Sequence, residues 1–84
     1  MTIKPVTTLR TISAIARDIR KAWPKVYFGA VPYLQAMASL ETIHSRYGME
    51  DGKSIVLYFL SNASTFRGDI AKTLKAELKQ HLKG

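Results

Sequence analysis

From Leu9 to Trp23 the run LRTISAIARDIRKAW returns an apolar side chain at Leu9, Ile12, Ile15, Ala16, Ile19 and Trp23, the spacing that gathers one face of an α-helix. Thr7 or Thr8 can cap its start, and Pro24 closes it because the residue before a proline is pushed out of the helical region. A first helix is therefore expected near 8–23. Pro32, well suited to a first turn, opens a second periodic stretch, VPYLQAMASLETIHSRYG, which runs to the stop signal of Gly48. A second helix is expected near 32–47. The clearest pattern is the last, where Phe66, Ile70, Leu74, Leu78 and Leu82 recur every fourth residue behind a cap at Ser64 or Thr65. It predicts a helix near 65–82.

Between them lies SIVLYFLSNAS, whose unbroken apolar run fits a buried strand as well as a buried helix. A lone strand needs a partner, and the other β-like stretch, KVYF, is short and flanked by prolines. Context favours a helix near 54–63, capped by Asp51 or Ser54, apolar all round and the most buried element. The fold class is then all-α, a compact four-helix arrangement, with α+β and a strand at 55–60 as the alternative. The expected core is Ile12, Ile15, Ile19, Trp23, Leu34, Met37, Leu40, Ile55, Val56, Tyr58, Phe59, Phe66, Ile70, Leu74 and Leu78.

Size supports this picture: 84 residues make one small domain, 1–84, with residues 1–6 expected to form a flexible N-terminus. At 46% apolar and 23% charged, the composition is that of a folded globular chain. There is no cysteine, which removes disulfides and thiolate metal sites and favours a reducing compartment. The opening MTIKPVTTLR has no apolar run of the signal-peptide kind, and IVLYFL is far short of the roughly 18 residues that span a bilayer. A cytoplasmic protein without a membrane partner is expected.

Charge changes the picture more. The net charge is +7, divided as +5 over residues 1–25, −1 over 26–64 and +3 over 65–84, so both ends are basic and the middle is not. On a helical wheel Lys72, Lys75, Lys79 and Lys83 fall within an arc of about 80°, opposite the apolar side, and Arg10, Arg17 and Lys21 within about 40°. Neither arc contains an acid. A solvated helix back explains such rows in most proteins. Here like charges stand at successive i, i+4 positions, which costs a few tenths of a kcal/mol per pair, and a phosphate partner would offset that repulsion. The sequence points to a small basic accessory protein binding nucleic acid non-specifically through these seven residues. The alternative is a protein-interaction module using an apolar helix face. Tyr33, Leu34, Met37, Leu40, Ile43 and Tyr47 surround much of the second helix, enough for a homodimer or an adaptor surface.

Other chemistry is thin. A helix-turn-helix would put Thr65, Arg67 and Asp69 at the start of a recognition helix, but Arg67 falls at the margin of the packed face and Gly68 reads as a close-packing glycine. The basic and aromatic connector PKVYFGAVPY resembles a single-strand-binding surface, yet in so small a domain its rings are expected to serve the core. Glu41 with His44, and Glu77 with His81, have the helical spacing of carboxylate-bridged metal sites, without the further carboxylates such sites need. His81 stands too near the chain end to be held rigidly. No phosphate loop, nucleophile motif or acid/base pair is present. No metal, no cofactor and no enzymatic activity are expected.

The runs YFGAVPYLQAM and VLYFLSNASTFRGDIAKTLKAEL resemble small proteins of bacteriophages and other mobile elements, over roughly residues 27–78. The shared features are apolar and structural, so they transfer no site residues. The resemblance implies a phage-derived accessory protein whose partners are host or phage proteins or DNA.

Overall fold

The computed structural model describes residues 9–83. The caps at Thr7 or Thr8 and the flexible terminus at 1–6 lie outside the described residues. The elements are helix α1 (Ile12–Ala22), a 3-10 turn (Phe28–Ala30), helix α2 (Val31–Met37), strands β1 (Arg46–Tyr47) and β2 (Glu50–Asp51), helix α3 (Gly52–Ser61) and helix α4 (Asp69–Lys83). The molecule is mostly helical, but the two-strand hairpin makes it something other than a clean all-α bundle. Ile55–Leu60 is helix, so the strand alternative at 55–60 is overturned.

Two of the helices begin where a side chain answers one of their first amides. Thr11 Oγ1 accepts the Ala14 N–H at 3.1 Å and starts α1, and Asp51 Oδ1 accepts the Ser54 N–H at 2.7 Å and starts α3. Pro32 sits in the first turn of α2. Gly68 precedes α4 with φ +108°, and its carbonyl takes the first helical bond, from the Lys72 N–H at 2.9 Å. Ser64 and Thr65 are therefore not the caps, and Gly68 is there for its backbone angle: no atom lies within 4 Å of where its Cβ would stand.

The largest departure is the second helix, which stops at Met37 rather than near Tyr47. Beyond it the chain crosses the N-terminus of α1, where the Leu40 and Glu41 carbonyls accept the Ser13 and Ile12 N–H groups at 2.8 and 3.0 Å. Small polar side chains hold this non-helical path: Ser45 Oγ accepts the Glu41 and Thr42 N–H groups, and Thr42 Oγ1 accepts that of His44. The same loop meets α3, whose Gly52 and Lys53 N–H groups donate to the Ser45 and Ile43 carbonyls at 2.8 and 3.1 Å. Gly48, with φ +63°, turns the hairpin that pairs Arg46 with Asp51 and Tyr47 with Glu50.

Thirteen of the fifteen expected core residues are buried, from Ile12 through Leu78; Tyr58 and Ile70 are the two that are not. Trp23 lies flat on Phe66, centroids 5.0 Å apart, and edge-on to Phe59 at 6.2 Å, fastening the end of α1 to α3 and to the connector before α4. Ile70, 65% exposed, faces the seam with α1, where the charged side chains of Asp18 and Lys21 leave it uncovered. The third helix is not apolar-buried all round, since Leu57 and Tyr58 face solvent. Leu34, Met37, Leu40 and Ile43 are all buried, so four of the six apolar residues read on the second helix serve the core, while Tyr47 is exposed and Tyr33 half-buried. Among the described residues, no helix is long and apolar enough to cross a membrane.

Candidate nucleic-acid interface

The fold sorts the seven basic candidates into three groups. Lys72, Lys79 and Lys83 are exposed on α4 as the wheel requires, and Lys75 is half-buried beside them. The Lys75 ammonium sits 5.8 Å from the centre of the Phe66 ring, a cation-π distance. Burial pushes its pKa below the ordinary lysine range, and the charges of Lys79 and Arg67 push the same way. Arg67 is thus a member of this surface that sequence periodicity misplaced. It lies before the helix, exposed, with Nε donating to the Ser64 carbonyl at 3.3 Å, and it lines a shallow groove with Phe66, Lys72 and Lys75. Asp69, in the first turn of α4, is the one acid lining that groove.

Arg10 belongs elsewhere. It stands ahead of α1 rather than in a row with Arg17 and Lys21. Its Nε and Nη2 donate to Glu77 Oε1 and Oε2, both at 2.8 Å, and its Nη1 donates to Asp18 Oδ2 at 2.6 Å. Glu77 first and Asp18 second raise the Arg10 pKa further above an already high value, and the Arg10 guanidinium holds the Asp18 carboxyl below the usual carboxylate range. With two carboxylates on it, Arg10 is a clasp between the start of the chain, α1 and α4. Both ion pairs found among the described residues are its own.

Arg17 and Lys21 are exposed on α1, but not beside the α4 lysines. Setting Leu74 at zero on the α4 wheel, Lys75, Lys79, Lys72 and Lys83 fall between about 100° and 180°, while Ile70, Glu77 and Thr73 fall between about −40° and −100°. The second set makes the seam with α1, lining grooves with Arg10, Asp18, Lys21 and Ala22. The acids Asp18, Asp69 and Glu77 gather along that seam and separate the two basic faces.

Both histidines come to one groove, with Leu9, Thr11, Glu41, Thr42 and Ile43. His81 is not loosely held: it is 5% exposed, and its Nε2–H donates to the Arg10 carbonyl at 2.7 Å. A carbonyl can only accept, so the bonded ring nitrogen carries the proton. Glu77 meanwhile is taken by Arg10, and no group of three His, Asp or Glu side chains converges among the described residues. No protein-family model matches the chain, and comparison with curated proteins and with solved structures finds no significant match.

Proposed function

We propose that this chain is a non-enzymatic accessory protein that binds nucleic acid non-specifically through the basic face of α4. One observation carries the reading: Arg67, Lys72, Lys75, Lys79 and Lys83 share one side of the molecule, and none of them is in an ion pair among the described residues. Such a cluster repels itself, and a row of phosphates relieves the repulsion while releasing counterions. Lysines on an exposed helix contact phosphates and read no base edges, so binding is indifferent to sequence. Arg10 drops out of the proposed surface, and Arg17 and Lys21 lie on another face. The phage or mobile-element origin suggested by residues 27–78, and a cytoplasmic setting, stand beside this reading as proposals of the same kind.

The test is a fluorescence titration with labelled DNA at two salt concentrations. Reversing Lys72, Lys79 and Lys83 to Glu, the three exposed lysines of α4, abolishes binding without unfolding the domain. Reversing Arg17 and Lys21 changes it by no more than a few-fold. Equal losses from the two sets, or no binding below about 100 μM at low salt, would overturn the reading. A second reading rests on exposed Leu57 and Tyr58 of α3, with Tyr33 5.5 Å from Tyr58 between ring centroids. A protein-interaction module would use this face, and Leu57→Ser with Tyr58→Ser would then release a partner that the lysine reversals leave bound.

A further inference from the structure

The turn between α1 and α2 holds its aromatic residues outward. Phe28 is 79% exposed and Tyr27 43%, with ring centroids 4.9 Å apart and planes tilted by 54°. A glycine stands beside them. A Cβ on Gly29 would come within 2.6 Å of the Tyr27 ring and 2.9 Å of Asn62 Oδ1, so glycine lets the Tyr27 ring lie over the turn while the turn meets Asn62 at the end of α3. Phe28, leaning on Tyr27, keeps most of its surface in water. Two rings kept out of a core this small forgo apolar burial that the domain would otherwise use.

The connector that carries these rings lies against the one that leads into the basic groove. The connector 23–30 and the connector 62–68 run together, joined by the Trp23–Phe66 stack and by Gly29 against Asn62. Neither connector contains an acid, and they carry Lys25 and Arg67. Arg67 and Phe66 in turn lead into the groove with Lys72 and Lys75. We infer that the occupant of this surface is an unpaired polynucleotide strand, its phosphates on Arg67 and the α4 lysines and its bases stacked on Phe28 and Tyr27. The inference rests on the nucleic-acid reading of α4 and adds its substrate class. A duplex keeps its base faces covered and gains nothing from the rings, whereas every unpaired base has a face to stack. An acidic protein would satisfy the cations but not the flat, exposed rings. Stacking and phosphate contact do not involve the sugar 2′-hydroxyl, so DNA and RNA strands bind alike.

The experiment titrates fluorescein-labelled oligo-dT, oligo-U and a duplex of equal length against the full chain and two variants, by anisotropy at fixed salt. The wild-type chain is expected to prefer both strands to the duplex by tenfold or more. The double variant Tyr27→Ala, Phe28→Ala loses strand affinity by about ten- to hundredfold, the range that stacked bases contribute, while duplex affinity stays as it was. Phe28→Trp retains strand binding, and its added fluorescence is quenched by the strand, which a merely structural ring would not show. Far-UV circular dichroism confirms that both variants are folded. Equal losses on strand and duplex, or no loss on either, overturn the inference and leave the α4 reading standing. Binding of no polymer by the wild-type chain removes both. A change in sedimentation of the double variant with unchanged strand affinity would assign the rings to a second copy of the chain instead.

Discussion

Replacing Gly52 by alanine sets two physical effects against each other. Gly52 opens α3, where helix propensity alone favours alanine by up to about 1 kcal/mol. The fold gives the opposite sign. A Cβ at this position would stand 2.8 Å from the Thr42 carbonyl oxygen and 3.0 Å from the Ile43 Cα and carbonyl oxygen, all backbone atoms that no rotamer change can move. Relief requires the 42–45 loop to withdraw, which weakens the hydrogen bonds from the Gly52 and Lys53 N–H groups to Ser45 and Ile43. Each such bond contributes about 0.5–1.5 kcal/mol, and overpacking a tight contact costs about 1–3 kcal/mol. The same loop supplies the carbonyls that cap α1, so the strain is shared by two helices. Net destabilisation of about 1–3 kcal/mol remains after propensity is subtracted, which for a domain of this size lowers the thermal midpoint by roughly 4–24 °C. Thermal and urea unfolding followed by circular dichroism at 222 nm measure it. Gly48→Ala is the comparison: nothing lies within 4 Å of its Cβ, and only the φ of +63° resists, at about 1–2 kcal/mol. A Gly52→Ala variant as stable as the parent, or more so, would refute the close approach of loop and helix.

Leu78→Ala should cost about 2–5 kcal/mol in urea unfolding because Leu78 is fully buried, while Ile70→Ala, at a position the same period made equivalent, should cost under about 0.5 kcal/mol; equal costs would show that the α1–α4 seam is closed. Acid unfolding should begin where Asp18 and Asp51 titrate, since the Arg10 guanidinium and the Ser54 backbone N–H hold these carboxyls below their ordinary range. A depressed native pKa adds stability that is complete above the unfolded value of about 4 and is lost as pH falls through the native value. Thermal midpoints should therefore be flat from about pH 7 to 5 and drop below about pH 4, with Asp18→Asn and Asp51→Asn together making the drop shallower; an unchanged acid limb would refute these assignments. Asn at position 51 keeps the helix cap, so that comparison isolates the titration.

Burial was far more legible in the sequence than backbone path. Leu34, Met37, Leu40 and Ile43 read as one helical face, and all four are buried although the helix ends at Met37. A three-residue spacing of apolar side chains persists through a loop when the loop wraps the same core. What broke the helix was tertiary: the N-terminus of α1 needs carbonyls, and Leu40 and Glu41 provide them from a point far along the chain. Tyr58 and Ile70 failed for the complementary reason, since a wheel says which side of a helix is apolar and not whether a neighbour covers it. Phe28 is the same kind of failure, because a ring in a short turn is assigned to the core by default, and the approach of Gly29 to Asn62 at that turn has no local signature.

On the basic residues the wheel placed the α4 lysines on one outward side and misjudged the surroundings of Arg10 and Arg67. Arg10 looked free because its partner Glu77 lies 67 positions away, and Arg67 looked half-packed because the wheel was extended through residues that are not helical. Exchanging one for the other sets a limit that the salt titration can read. If only Arg67 and the four α4 lysines meet phosphate, at most five charges are neutralised, and the log-log dependence of affinity on salt cannot be steeper than about −4.5 for a duplex or about −3.5 for a single strand. A steeper slope requires cations from beyond this face, and Arg17, Arg20 and Lys21, exposed on α1, would be the ones to supply them. The acids Asp18, Asp69 and Glu77 stand along the seam between the two faces. A polyanion crossing from α4 to α1 would have to pass over that seam, so the slope should stay within the limit.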